Sequence, residues 1–324
     1  MTPNPARRLA VAALGALCLA GTAAAQDAFP SRPIRVLIPT AAGGNMDLLA
    51  RTVAEKLQGA WGQQVIVESR AGANTVLATQ AVAKSPADGY TALFTLSGFV
   101  QNLVLQANPP YKMTDFTPVS MVASFPIALA ASTSMPANDL TEFVKAAKDK
   151  PGRMSFGSYG VGSSGHIIGQ GLNKLAGIDV VHVPYKGEAA SLPDLVSGQI
   201  QLAYGSVGFY ARQVPTGKVK LIAVASPQRL KDFPTVPTFA EAGYGDVNLA
   251  GWGGLFLPAG TPAAVVEKWT QEVRRITAMP DVQKRILDMG FLPVGNSGPE
   301  FAKDLAAEIQ KWGAVVRANN IKME

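Results

Sequence analysis

The chain has 324 residues, with 29 Lys and Arg against 23 Asp and Glu, two histidines and one cysteine. That length accommodates two domains, and a basic excess without runs of Lys or Arg among aromatics argues against nucleic acid as a partner. One cysteine excludes an internal disulfide, and two histidines make a catalytic zinc site a poor fit, so neither metal nor cofactor is expected.

Taken in chain order, Arg7 and Arg8 precede an apolar stretch over residues 9–20, and Ala23-Ala24-Ala25 follow. A charged start, a short apolar run and an A-x-A site read as a signal peptide over residues 1–25, cleaved after Ala25. The run is too short to remain as a membrane anchor. Cys18 lies inside it, behind a Leu17 that does not suit a lipoprotein signal. The exported chain therefore carries no thiol, and loss of Arg7 and Arg8 leaves 27 basic residues against 23 acidic ones, a net +4.

Beyond it, short β-rich runs alternate with helical ones. Strands are predicted over residues 34–38, 65–68 and 92–96. Helices fall between them, over residues 47–60, with Leu49, Val53, Leu57 and Ala60 on one face, and over 76–83. This order calls for a parallel sheet covered by helices. Residues 117–131 form a long apolar, β-like run. A second α/β unit follows, with helices over 140–148, 166–176 and 192–197 and strands over 154–156, 180–183, 202–204 and 221–224. From Gly251 the texture changes again. Thr261-Pro262 reads as an N-cap and first-turn proline opening a helix to Met279, which Pro280 stops. Ser297 and Glu300 fit a capping box, and the helix they open spaces Leu305, Ile309, Trp312 and Val316 along one face. These last helices have no sheet of their own, so they are expected to return to the first. The reading is two interleaved α/β domains around a hinged cleft, with residues 26–125 and 249–324 in one and 126–248 in the other.

Two glycine-rich loops each join a strand to a helix: Thr40-Ala41-Ala42-Gly43-Gly44 with Asp47 beyond it, and residues 157–166. Such a loop aims unpaired N–H groups past a helix start, where the dipole favours negative charge. The first is equally a plain tight turn. The second contains a formal G-x-G-x-x-G at Gly160, Gly162 and Gly165, but Ser158, Ser163 and Ser164 crowd it with hydroxyls that suit a carboxylate better than a dinucleotide. Ser163 or Ser164 with His166 could serve a hydrolase, although the G-x-S-x-G elbow is missing. His166 reads rather as a hydrogen-bonder at the helix start, and His182 as a core or rim residue. Phe99, Tyr159, Phe209, Tyr210 and Trp252 are packing residues or walls for a planar ligand.

Several motifs follow in order along the chain: Phe29-Pro30-Ser31-Arg32-Pro33-Ile34-Arg35, Pro39 to Asp47, Ala87-Asp88-Gly89-Tyr90-Thr91, Gly157-Ser158, His182-Val183-Pro184-Tyr185-Lys186-Gly187 and Pro258-Ala259-Gly260-Thr261-Pro262. Together they resemble the Bug-type substrate-binding receptors of tripartite tricarboxylate transporters, over essentially the whole exported chain. The resemblance implies a non-enzymatic periplasmic receptor of the Venus-flytrap (type II-like periplasmic-binding-protein) fold, working with the transporter's membrane subunits; a monomer is expected because no long apolar surface stripe is left over. It implies a small carboxylate gripped by Thr40, Ala41, Ala42, Gly43 and Gly44 at one end and by Ser158, Ser163, Ser164 and His166 at the other. Asp47, Ser97, Phe99, Tyr159, Ser206 and Phe209 complete the expected site. Many members carry an acidic residue after the strand at 202–204, which can meet a ligand's ammonium. Gly205-Ser206 stands there instead, which disfavours amino acids and, with the aromatic candidates, points to a rigid carboxylate such as a terephthalate-like one, or to an aliphatic di- or tricarboxylate. A ligand-sensing interaction protein would use the same cleft.

Overall fold

The computed structural model describes residues 29–318 and 321, so the signal segment, Cys18 and the start at Gln26 lie outside the described residues. The strands are β1 (Ile34–Ile38), β2 (Val65–Ser69), β3 (Thr91–Leu96), β4 (Phe116–Phe125), β5 (Ile127–Ser132), β6 (Met154–Ser158), β7 (Val180–Pro184), β8 (Leu202–Ser206), β9 (Val219–Ala225), β10 (Gly251–Pro258) and β11 (Leu292–Pro293). Interleaved with them are α1 (Asn45–Trp61), α2 (Val76–Ala83), α3 (Gly98–Leu105), α4 (Leu140–Asp149), α5 (Ser164–Ala176), α6 (Glu188–Ser197), α7 (Val207–Ala211), α8 (Ala263–Thr277), α9 (Pro280–Asp288) and α10 (Gly298–Ala318).

They form two α/β lobes, a six-stranded sheet in the order β11-β4-β10-β3-β1-β2 and a five-stranded one in the order β7-β6-β8-β5-β9. The βαβαβ pattern yields the parallel trio β2-β1-β3, while β10 runs antiparallel between β3 and β4. The apolar run over 117–131 becomes two strands in different sheets. Pro126 separates them, because a residue without an N–H cannot continue the ladder; β4 pairs with β10, and β5 with β8 and β9.

Helix α1 buries Leu49, Val53 and Leu57 against β1 and stops at Gly62, whose left-handed backbone (φ 64°) returns its N–H to the Gln58 carbonyl. Ala60, expected on that face, is exposed, as the last turn runs past the sheet. Strand β10 lies in the first sheet, helices α8 and α10 pack on its strand β4, and Trp269 and Phe301 are fully buried. The Ser297 capping box forms with both partners, Ser297 N–H to Glu300 Oε2 at 2.8 Å and Glu300 N–H to Ser297 Oγ at 3.4 Å. The expected Thr261 cap does not. Pro262 holds the cap position, and the Thr261 hydroxyl donates back to the Pro258 carbonyl at 2.7 Å. Pro280 opens α9 as its first residue, and α6 starts at Glu188, four residues ahead of the expected helix.

Candidate functional site

Both sheets turn the carboxyl ends of parallel strands toward the segments singled out above. In open α/β sheets that edge is where ligands bind, because helix starts and loop N–H groups converge on it. β1 and β3 deliver residues 39–44 and Ser97. β6, β7 and β8 deliver Ser158, residues 185–188, and Ser206.

Asp47 organises the first loop. Its buried carboxylate accepts the Gly43 N–H at 2.9 Å and pairs with Arg51 Nε at 2.9 Å, so it shapes the turn rather than facing a ligand. Gly43 takes a left-handed conformation (φ 87°), which favours glycine. Ala41, Ala42, Gly43 and Gly44 are exposed, and Gly44 occupies the N-cap of α1 without a side-chain cap. The first-turn N–H groups of α1 have no intrahelical acceptor. The Thr40 carbonyl is anchored by Ser69 Oγ at 2.6 Å.

The second loop is tied into a compact turn. Ser163 caps α5 by accepting the His166 N–H and donates to the Gly160 carbonyl at 2.6 Å. His166 Nδ1 accepts the Gly162 N–H at 3.1 Å, and its ring stacks on His182 with centroids 4.1 Å apart. Ser158 Oγ lies 2.7 Å from His182 Nε2 and donates to the Gly160 carbonyl at 3.0 Å. Burial, then the neighbouring His166, push His182 down to about 4, so the ring is neutral. Burial raises the Tyr159 phenol, which hydrogen-bonds Ser164.

The loop also reaches the other lobe. Ser164 Oγ lies 3.2 Å from Ser97 Oγ and accepts from Gln101 Nε2, while Asn74 Nδ2 donates to the Gly162 carbonyl at 2.9 Å. Asn74 belongs to three consecutive left-handed residues, Ala73, Asn74 and Thr75 (φ 47°, 45° and 80°), held by Asn102 through the Asn74 carbonyl. Non-glycine residues rarely adopt such angles, and they persist where surroundings enforce them. On the flank of the first loop, Asn45 Nδ2 approaches the Met289 carbonyl at 3.5 Å, and that carbonyl lies against Gly208 of α7.

Thus Ser97, Ser158, Tyr159, Ser163, Ser164 and His166 come together, and the first loop lies on the same carboxyl edge of its sheet. Phe99 is a correction. Its ring is fully buried, stacked on Tyr111 and Phe256, because α3 turns it into the core of the first lobe. Tyr210 is likewise enclosed, its hydroxyl 3.0 Å from Ser191. Phe209 is half-buried, edge-on to Tyr210.

Gly205-Ser206 holds a second correction. A carboxylate is present there after all, supplied by Glu188: its Oε2 accepts the Ser206 N–H at 2.6 Å and its Oε1 the Ser206 hydroxyl at 2.9 Å. Burial pushes Glu188 up to about 7, against the lowering effect of both bonds and of Arg212. Sequence reasoning missed Glu188, Gln101 and Asn74. A Gly72-Ala73-Asn74 turn signal could have found Asn74, whereas nothing local marks the other two.

Three buried polar atoms have no hydrogen-bond partner among the described residues: Thr40 Oγ1, Thr95 Oγ1 and Gln101 Oε1. All belong to the carboxyl edge of β1 and β3 or to α3 just beyond it. Buried polar atoms are normally satisfied, so these call for a water or a ligand atom. No group of three or more His, Cys, Asp or Glu among the described residues could hold a metal. A shallow groove lined by Phe29, Trp61, Lys268 and Glu272 shares no residue with either loop. No helix among the described residues is long and apolar enough to cross a membrane.

Residues 49–321 match the TctC family, described as the tripartite tricarboxylate transporter family receptor. The protein BugT of Bordetella pertussis is 32% identical, over 99% of this chain and 100% of that protein. Among solved structures, the periplasmic binding protein BugD superposes with a TM-score of 0.83 at 30% identity, covering 91% of this chain and 100% of that one. An R. palustris protein, Rpa4515, solved with adipate, gives 0.84 at 29% identity over 91% and 99% of the two chains. MatC of Rhodopseudomonas palustris, with bound malate, gives 0.81 at 31% identity over 89% and 100%. This chain belongs to the tripartite tricarboxylate transporter receptor family, periplasmic proteins that bind substrates rather than convert them.

Proposed function

We propose that this protein, exported behind the segment over residues 1–25, closes on a small organic carboxylate between its two lobes and presents it to the membrane subunits of a tripartite transporter. The lobes are residues 26–125 with 249–324, and residues 126–248, hinged where the chain crosses near Pro126 and between β9 and β10. One carboxylate end meets residues 40–44; the far end meets Ser97, Ser158, Tyr159, Ser163, Ser164, His166 and Ser206, with Phe209 beside them.

The observation that carries this reading is the meeting of the lobes at the second glycine loop, through Ser97, Gln101 and Asn74, with unpartnered polar atoms on the facing edge. A ligand that touches both lobes favours the closed form, and closure follows as a shift of population. The adipate and malate bound by the two R. palustris proteins support a dicarboxylate. With Phe99, Tyr210 and Trp252 enclosed, Tyr159 and Phe209 are the remaining candidate walls, and since the ligands of those two relatives are aliphatic, an aliphatic chain is favoured over a terephthalate-like ring.

Thermal unfolding of the refolded, ligand-stripped protein against adipate, malate, citrate and terephthalate tests the reading. At a hundredfold excess over Kd a ligand adds about 2.7 kcal/mol, visible as a rise of several degrees. No rise with any organic carboxylate would remove it.

A further inference from the structure

Glu188 opens α6 at the carboxyl end of β7, and Ser206 ends β8 on the same edge of the sheet as Ser158. An acidic residue in a first helical turn is ordinarily a solvated partner of the helix dipole. Glu188 is different, because its carboxylate folds back across the edge onto Ser206. Gly205 makes room for it: a Cβ there would stand 2.8 Å from Glu188 Oε2 and 2.6 Å from the Tyr210 ring. The acid that the strand end lacks is thus supplied from a neighbouring helix, and the glycine is what lets it in.

The carboxylate is only half provided for. Ser206 fills two of its four acceptor positions. No Lys, Arg or His among the described residues forms an ion pair with it; Arg212 acts on it only at a distance. Glu188 is half-buried, and a cation brought to its carboxylate offsets part of the cost of withdrawing that charge from water. A second acceptor without a donor lies across the lobes. Gln101 is fully buried and spends its Nε2 on Ser164, leaving Oε1 unpartnered. Ser164 in turn bonds Tyr159, whose phenol lies in the field of Glu188. The two acceptor positions of Glu188 that Ser206 leaves open, and the unpartnered Gln101 Oε1, suit a group that brings several N–H donors and a positive charge, which an ammonium does.

We infer that Glu188 is the specificity-determining carboxylate of the cleft, and that it selects a carboxylate ligand which also carries a protonated amine. This rests on the receptor reading above and reverses the expectation that amino acids are disfavoured, since the counter-charge missing from residues 205–206 is present.

Titration calorimetry on the refolded protein, with matched pairs that differ by one amine (aspartate against succinate, 2-aminoadipate against adipate), tests it. The wild type binds one amino member at least about tenfold more tightly than its plain counterpart. Glu188→Gln, which keeps the acceptor for Ser206 without the charge, loses about 30-fold or more for the amino member and changes less than threefold for the plain one. Glu188→Asp recovers part of the loss. A wild type that prefers the plain diacids, or a folded Glu188→Gln protein with an unchanged preference, overturns the inference and leaves the receptor standing. Binding of no member of either pair by the wild type overturns the inference; the receptor reading falls with it only if citrate and terephthalate also fail to raise the unfolding temperature.

Discussion

Gly208→Ala tests whether the lobes move against each other. Gly208 of α7 lies against the backbone of Met289 and Gly290 in the other lobe: an added Cβ would stand 1.9 Å from the Met289 carbonyl oxygen and 2.8 Å from Gly290 Cα. Gly290, itself left-handed (φ 75°), is equally tight, since its own Cβ would lie 2.2 Å from Gly208 Cα. Both neighbours are backbone, so no side chain can rotate away. The contact must open by roughly 1.5 Å to reach ordinary van der Waals distance. Overpacking of this kind costs about 1–3 kcal/mol. If the lobes are hinged, that cost falls on closure and not on either core. A ligand that must close the cleft then binds about 5- to 150-fold more weakly. Calorimetry with whichever carboxylate stabilises the wild type reads the affinity, and small-angle scattering reads the compaction on binding. The unfolding temperature of the ligand-free variant should stay within a few degrees of wild type. An unchanged Kd with unchanged compaction would refute the argument, and so would a collapse of the ligand-free melting temperature.

Two further outcomes are expected. Gly44→Val should weaken carboxylate binding by about tenfold or more with little change in stability: Gly44 has an extended backbone that any residue adopts, and its Cβ would meet nothing nearer than the Ala41 carbonyl at 3.8 Å, so the added side chain only screens the start of α1. The melting temperature should also fall as pH rises from 5 to 8, and Glu308→Gln should flatten that fall. Glu308 accepts the indole N–H of both Trp252 and Trp312, and burial pushes it up to about 7. A carboxyl raised in the folded state stabilises below its ordinary 4.5, and that contribution, on the order of 1–3 kcal/mol, is lost as pH climbs through about 7. His182 acts in the opposite sense, its contribution being full above 6.5 and lost as pH falls toward 4; a melting temperature that instead rose steadily from pH 5 to 8 would contradict the Glu308 assignment.

Local chemistry was legible in the sequence. The alternation of apolar runs announced the parallel trio β2-β1-β3, Ser297 and Glu300 announced the start of α10, and the glycines announced both strand-to-helix loops. Each of these depends on residues a few positions apart, where backbone geometry alone decides who meets whom. Where the signal was local but ambiguous it misled: Pro280 reads equally as the end of one helix and the start of the next, and Thr261-Pro262 as a cap that the loop turned elsewhere.

The partners that define the site were decided by tertiary structure. Gln101 meets Ser164 across 63 residues, Asn74 meets Gly162 across 88, and Glu188 meets Ser206 across 18. Phe99 belongs to the core because α3 points it at Tyr111 and Phe256, which no spacing in the chain specifies. Most consequentially, the residues at 205 and 206 showed an absent acid, and folding placed one beside them from α6. Composition along the chain records which charges exist. Where a charge acts is set by which strand ends and helix starts the sheet brings within hydrogen-bond reach, and whether water is kept from them.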